Sequence, residues 1–263
     1  QLLKGFIYSQ NPALRLSLGL NGNLTAKQQT IAIQGKIDSC YLDRMHLITE
    51  PIGGTLALNL SASASADRSY SAILHIDSIT LWNGWEKNSI RPVNLSFATS
   101  PAHTRIGLKS GDLTLGFDSP SGVDSLSTRF SRGASLMAKM LRGNNFYMDS
   151  VSQQLPPFRL RAEAGDQNIL NNFLKLQGIG FKNMDIDASL QNSLSFKFNM
   201  IVNQLNAGNI QLDTLTLGLR QQQQQLNYLL RVANHPGNLD SLGMIALYGN
   251  IAGNEAILNC LQE

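Results

Sequence analysis

At 263 residues the chain has room for one or two ordinary domains, or for part of a repetitive β-array. Only 15% of its residues are charged, against about a quarter in a typical domain. Its formal net charge of +3 argues against a nucleic-acid binder, which needs Lys and Arg clustered on one face.

The dominant pattern is period-two alternation. Residues 1–120 read as consecutive strands, with alternating patches at 14–20, 30–37, 44–48, 55–66, 69–81, 93–99, 105–108 and 113–117. Leu14, Leu16 and Leu18 set the pattern, and Leu56, Leu58 and Leu60 repeat it. Successive strand side chains point to opposite faces, so each run builds one apolar and one polar face. Turn signals separate the runs at Asn21-Gly22-Asn23, at 51–54, at Asn83-Gly84 and at 109–112. No helical pattern intervenes to make a parallel crossover, so the expectation is an antiparallel meander.

Residues 121–178 change character and read as a helical insertion. Ser121 and Asp124 form a candidate capping box. Val123, Leu126, Phe130, Ala134, Met137 and Leu141 then recur at helical spacing, with Arg129, Arg132, Lys139 and Arg142 on much of the opposite side and Gly143 as a stop. This predicts a helix at about 123–142, with Leu126, Phe130, Met137 and Leu141 covering the sheet. A basic helix lying on a membrane surface is the alternative. A second helix is expected at about 167–177, with Asp166 as its N-cap. Pro156 and Pro157 lead into a short strand at 158–164.

Residues 179–263 return to strands at 184–190, 194–202, 210–219, 226–232 and 244–251. Their apolar positions are Leu194, Phe196, Phe198, Met200 and Val202, then Leu215, Leu217 and Leu219. The glutamine run at 221–225 reads as a polar hairpin loop.

Little in the chain carries catalytic or metal chemistry. His46, His75, His103 and His235 are scattered, and only His75 and Asp77 make even a loose pair. Asp185 and Asp187 share the solvent side of a strand whose other side is apolar. There is no G-x-S-x-G, P-loop or G-x-G-x-x-G motif. The expectation is therefore a non-enzyme without cofactor or metal. Trp82 and Trp85 flank a turn and are read as end-of-sheet packing, with sugar stacking or a lipid interface as the alternatives. Cys40 and Cys260 lie far apart and outside any CxxC pattern, so they pair only if the fold unites them. With no signal-peptide pattern, no 18-residue apolar run and no obvious closing element, the chain reads as a piece of something longer.

The whole resembles a segment of the TamB (translocation and assembly module) family, among the AsmA-like, bridge-like lipid-transfer proteins. The carrying features are the long alternating strands and the starts Ile76-Asp-Ser-Ile-Thr-Leu81, Leu212-Asp-Thr-Leu-Thr-Leu217 and Met184-Asp-Ile-Asp-Ala-Ser-Leu190. To these add Gly243-Met-Ile-Ala-Leu-Tyr-Gly-Asn250-Ile-Ala-Gly-Asn254 and the helix start Asp118-Ser-Pro-Ser-Gly-Val-Asp-Ser-Leu126. The two helices depart from the family's plain β texture. The resemblance implies a mainly β fold, a long curled sheet or U-shaped trough (β-taco) with an amphipathic helical insertion. It also implies a periplasmic location, an inner-membrane anchor, phospholipid acyl chains as cargo and an outer-membrane β-barrel assembly protein as partner. The four apolar runs quoted above, Leu14–Leu18, Leu56–Leu60, Leu194–Val202 and Leu215–Leu219, would line the groove. The alternatives are a scaffold that pairs its strand edges with client proteins and, less well supported by the residues, a carbohydrate-binding β-repeat.

Overall fold

The computed structural model describes every residue except 26, 85, 144, 193, 209, 235–242 and 263. The fold is a single curled antiparallel sheet of seventeen strands, a trough with three helices set against one face. The first half contains β1 (Leu2–Asn11), β2 (Leu14–Leu24), β3 (Gln28–Tyr41), β4 (Gly53–Ser65), β5 (Tyr70–Trp82), β6 (Lys87–Ile90), β7 (Val93–Ser100), β8 (His103–Ser110) and β9 (Leu113–Ser119). Helices α1 (Val123–Arg142) and α2 (Met148–Gln154) follow, then β10 (Phe158–Ala164) and α3 (Ile169–Lys175). The second half contains β11 (Ile179–Gly180), β12 (Asn183–Leu190), β13 (Lys197–Ala207), β14 (Ile210–Gln222), β15 (Gln225–Ala233), β16 (Met244–Ala252) and β17 (Glu255–Gln262).

Nearly every strand pairs with its neighbour in sequence, as hairpin turn chemistry dictates. β6 and β7 share the length of β5, and β11 and β12 share that of β13. β10 joins the two halves by pairing with β9 on one side and β12 on the other. Register breaks at Arg15/Leu16, Ile37/Cys40 and Thr55/Ala57 are bulges, which increase twist and bend the strands.

The seven-residue α3 packs on both β6 and β11 and so lies across the middle strands of the sheet.

The elements differ from the sequence expectations in specific places. Residues 44–48 form a turn rather than a strand, with His46 at φ 58° and the Met45 amide bonded to Tyr41 O at 3.1 Å. Asn21-Gly22-Asn23 stays inside β2, because Gly22 lies opposite Leu3 and Ile31 where a Cβ would meet Thr30 O at 3.3 Å. α1 has the expected bounds, but Ser121 does not cap it. Gly122 is the N-cap, and the Val123 amide donates instead to Thr99 Oγ1 on β7 at 3.1 Å. Asn168, not Asp166, caps α3, accepting from the Asn171 amide at 2.9 Å. The glutamine run is a tight hairpin with Gln223 at φ 56°.

Candidate apolar groove

Inter-strand register decides which side chains share a face. One row of directly opposed residues runs Gly5–Leu20–Ile33–Leu60–Leu74–Leu95–Leu108–Leu115–Ala162 from β1 to β10, bypassing β6. It continues Ile186–Met200–Leu217–Leu230–Leu247–Cys260 to the last strand. Every member is apolar, glycine or cysteine. The adjacent row on the other face runs through Gln34, Asn59, His75, Asn94, Lys109, Thr114, Glu163 and Asp185. The sheet thus has one apolar face that is continuous along its whole length.

The helices roof that face from about β5 to β16 and leave the first arm uncovered. Phe130 of α1 packs on Phe117 and Phe158, with ring centroids 6.5 and 5.6 Å away, and those two rings stack at 6.0 Å. Leu136 and Met140 continue the contact onto Met148 and Val151 of α2, which in turn sit on Phe196, Leu226 and Ile251. The Arg129 guanidinium clamps the end of α2 by donating to the carbonyls of Gln153, Gln154 and Leu155 at 3.3, 3.2 and 2.8 Å. Beyond α1, Phe146 and Gly253 exchange backbone hydrogen bonds at 2.6 and 2.7 Å. α1 therefore runs along the strand ends from β9 toward β16. Its 20 residues span about 30 Å, close to six strand spacings of about 4.8 Å. From the opposite strand ends α3 brings Ile169, Leu170 and Leu174 onto Leu113, Ala164, Phe181 and Val202.

Outside this roofed stretch the apolar face is open. Leu16, Leu18, Leu20, Ile31, Ile33, Leu58 and Leu60 are half-buried, and β17 is exposed along its whole length. The accessible surface is 16123 Å², whereas a compact monomer of 28.8 kDa exposes roughly 11,000 Å². The excess is the signature of a sheet that does not close on itself.

The expected lining residues fall on this face with one exception. Leu14, Leu16, Leu18, Leu56, Leu58 and Leu60 lie on the first arm. Phe198, Met200, Val202, Leu215, Leu217 and Leu219 lie under or beside the roof, and Phe196 packs there from just before β13. Leu194 does not belong: it precedes β13 in a turn held by Ser195 and Asn192 and is 52% exposed. Among the expected covering residues Leu126 is buried and Phe130 packs, but Met137 and Leu141 face solvent. α1 turns Leu136 and Met140 toward α2 instead, with Gly133 against Leu155. Sequence reasoning missed β1, β6, β17 and α2.

The remaining candidates are placed plainly. His75 Nε2 is 3.3 Å from Asp77 on the polar face, and its Nδ1 is 2.6 Å from Asn94. His103 and Arg105 share Asp118. Asp187 faces Arg159 at 3.8 Å on the polar face. Trp82 packs edge-on against Tyr41 at 5.6 Å, and Trp85 and His235 lie outside the described residues. Cys40 and Cys260 are free thiols on β3 and β17. Among the described residues no three His, Cys, Asp or Glu side chains gather as a metal site, and no helix is long and apolar enough to cross a membrane. No family model, curated protein or solved structure matches the chain.

Proposed function

We propose that the chain is a non-enzymatic segment of an envelope-biogenesis protein whose apolar face shelters phospholipid acyl chains in transit between the inner and outer membranes. The observation that carries this reading is the unbroken apolar row from Gly5 to Cys260, roofed by the helices in its second half and open along the first arm. Moving an acyl chain through water costs roughly 0.8 kcal/mol per CH₂, so a 16-carbon chain faces a barrier on the order of 10 kcal/mol. A groove lowers that barrier by keeping the tail dry, which needs a continuous lining of Leu, Ile, Phe and Met and no shaped polar pocket. Flexible Met and Leu surfaces accept varied chains. The likeness of sequence texture to the TamB family supports the same reading, including a periplasmic location, an inner-membrane anchor in the full-length protein and an outer-membrane β-barrel assembly protein as partner.

The test is native mass spectrometry and lipid extraction on the chain purified without detergent from a Gram-negative host, with uptake of a fluorescent phospholipid. Bound phospholipid that is lost in folded Leu18→Asp or Leu60→Asp variants supports the groove. A clean apo mass with no uptake overturns it.

A second reading, a scaffold that pairs its edges with client strands, is favoured by one observation. Among the described residues β1 and β17 each pair with one neighbour, and their apolar side chains Phe6, Ile7, Ile257 and Leu258 are more than half exposed. Such edges recruit further strands. Under it, an extended client peptide protects the β1 or β17 amides from hydrogen exchange while added lipid does not.

A further inference from the structure

We infer that the polar face of the sheet carries a site for a phosphate monoester, built around Gly218 where β13, β14 and β15 run side by side. A pocket of about 530 Å³ opens there, lined by Lys197, Asn199, Arg220, Asn227 and Leu229. Register puts all five on the side away from the groove. Lys197, Arg220 and Asn227 are directly opposed in one row, and Asn199, Gly218 and Leu229 in the next. The groove row on the same strands is Met200, Leu217 and Leu230.

Two independent observations say what the pocket takes. The first is Gly218. A glycine inside a strand weakens it, and commonly marks a bulge or the close approach of a ligand or another backbone. Pairing runs unbroken through Gly218 on both sides, so it is not a bulge. A Cβ there would meet only Leu229, at 3.7 and 4.0 Å, so no neighbouring atom requires the gap. The second is charge. Lys197 and Arg220 face each other with Cβ atoms about 5 Å apart, an opposition of like charges that costs stability. Among the described residues neither has an acidic side chain within 4.0 Å. Asp187 is the one acid on the rim, and its carboxylate lies 3.8 Å from Arg159. Two cations without a partner match a phosphate monoester, which carries about two negative charges near neutral pH. A carboxylate or a phosphodiester would neutralise only one of them. Asn199 and Asn227 supply amide donors beside the cations, and the bare backbone of Gly218 leaves room for the body of the ester against Leu229. The site lies across the sheet from the groove, so the inference goes beyond the proposed function and stands without it.

The experiment is calorimetric titration of the 263-residue chain with inorganic phosphate and with glycerol 3-phosphate, alongside thermal melts. Co-sedimentation with phosphatidylcholine vesicles, with and without phosphatidic acid, tests a lipid headgroup as the source of the same chemistry. The expected result is that glycerol 3-phosphate binds more tightly than inorganic phosphate, and that Lys197→Gln and Arg220→Gln each weaken it about tenfold. Gly218→Val fills the gap and brings the ester down to the affinity of inorganic phosphate. Lys197→Gln raises the thermal midpoint of the free chain by removing the like-charge opposition, so its loss of binding cannot be loss of fold. Leu60→Asp, which disables the groove, leaves phosphate binding unchanged. Vesicle binding that needs phosphatidic acid, Lys197 and Arg220, without binding of the free ester, assigns the site to a headgroup; the reverse assigns it to a soluble ester. The inference is overturned if none of these probes binds, if the Lys197 and Arg220 variants bind as the parent does, or if Gly218→Val keeps the preference for the ester.

Discussion

The Asn171 side chain pairs with the backbone of Phe181 as a neighbouring strand would. Its Nδ2 donates to Phe181 O at 2.6 Å, and its Oδ1 accepts from the Phe181 amide at 3.3 Å. Asn171 is fully buried and Phe181 nearly so. Removing the amide orphans a buried donor and a buried acceptor at about 1–3 kcal/mol each. Asn171→Leu is therefore expected to destabilise the chain by about 3 kcal/mol in urea denaturation. Asn171→Asp should fare little better, because a carboxylate cannot donate to the carbonyl.

Tyr228 performs a related task at the edge. Its ring reaches past Gly249 on β16, and its hydroxyl donates to Ile257 O on β17 at 2.9 Å. A Cβ at Gly249 would lie 1.7 Å from Ile257 O and 2.9 Å from the Tyr228 hydroxyl, so only glycine lets the edge strand close. Gly249→Ala is expected to free β17, seen as loss of amide protection at residues 255–262 with protection at β13 and β14 unchanged. Tyr228→Phe should raise exchange on β17 by about fivefold, the equivalent of one hydrogen bond of about 1 kcal/mol.

These cases show what alternation does and does not encode. The runs Leu56–Leu58–Leu60 and Leu215–Leu217–Leu219 announced their face because one side is apolar and the other polar. β1 and β17 did not: edge strands exposed on both sides put Phe6 beside Ile7 and Ile257 beside Leu258, and the period disappears. Arg44 and His46 alternated with Met45 and Leu47 by accident inside a turn. The wide apolar arc of α1 was legible, but which part of it packs depends on α2, whose sequence Met-Asp-Ser-Val-Ser-Gln-Gln has no helical signature of its own. Thr99 Oγ1 as the acceptor for the Val123 amide of α1 is a tertiary contact that local reading of Ser121 could not supply.

Asp112 gives the fold a dependence on acid. Burial alone pushes its carboxyl up, but donors outweigh that: Asn168 Nδ2 at 2.7 Å, the Gln167 amide at 3.0 Å and the Gly165 amide hold it below its ordinary 3.8. A lowered folded pKa means stability that is fully present above 3.8 and lost as pH falls through the lower folded value. Asp112→Asn is expected to cost about 1 kcal/mol at pH 7 through its weaker, partly mismatched hydrogen bonds. The gap between its urea midpoint and that of the parent chain should stay constant down to about pH 4 and then shrink. A gap that widens in acid would refute the assignment.

The two thiols should separate chemically. Burial raises the pKa of Cys40, whose Sγ lies 3.8 Å from Met45 Sδ, while Cys260 is exposed on the open edge strand. Since the thiolate is the reactive form, a maleimide at pH 7 is expected to label Cys260 about tenfold faster than Cys40, with the difference lost in denaturant. Intact mass with peptide mapping reads this directly.

The last prediction separates a filled core from an open face by stability alone. Val202 is 6% exposed beneath α3, against Leu113, Ala164 and Phe181. Leu60 occupies the same apolar face on the first arm but is only half-buried and has no helix over it. A carboxylate at Val202 loses its hydration with no partner and is expected to cost more than about 4 kcal/mol or to abolish folding. The same change at Leu60 leaves the charge reachable by water, so the cost is the lost apolar contact alone, about 1–2 kcal/mol. Equal, severe destabilisation by Val202→Asp and Leu60→Asp in urea melts would mean that the first arm is sealed in solution, and the open groove would fall with it.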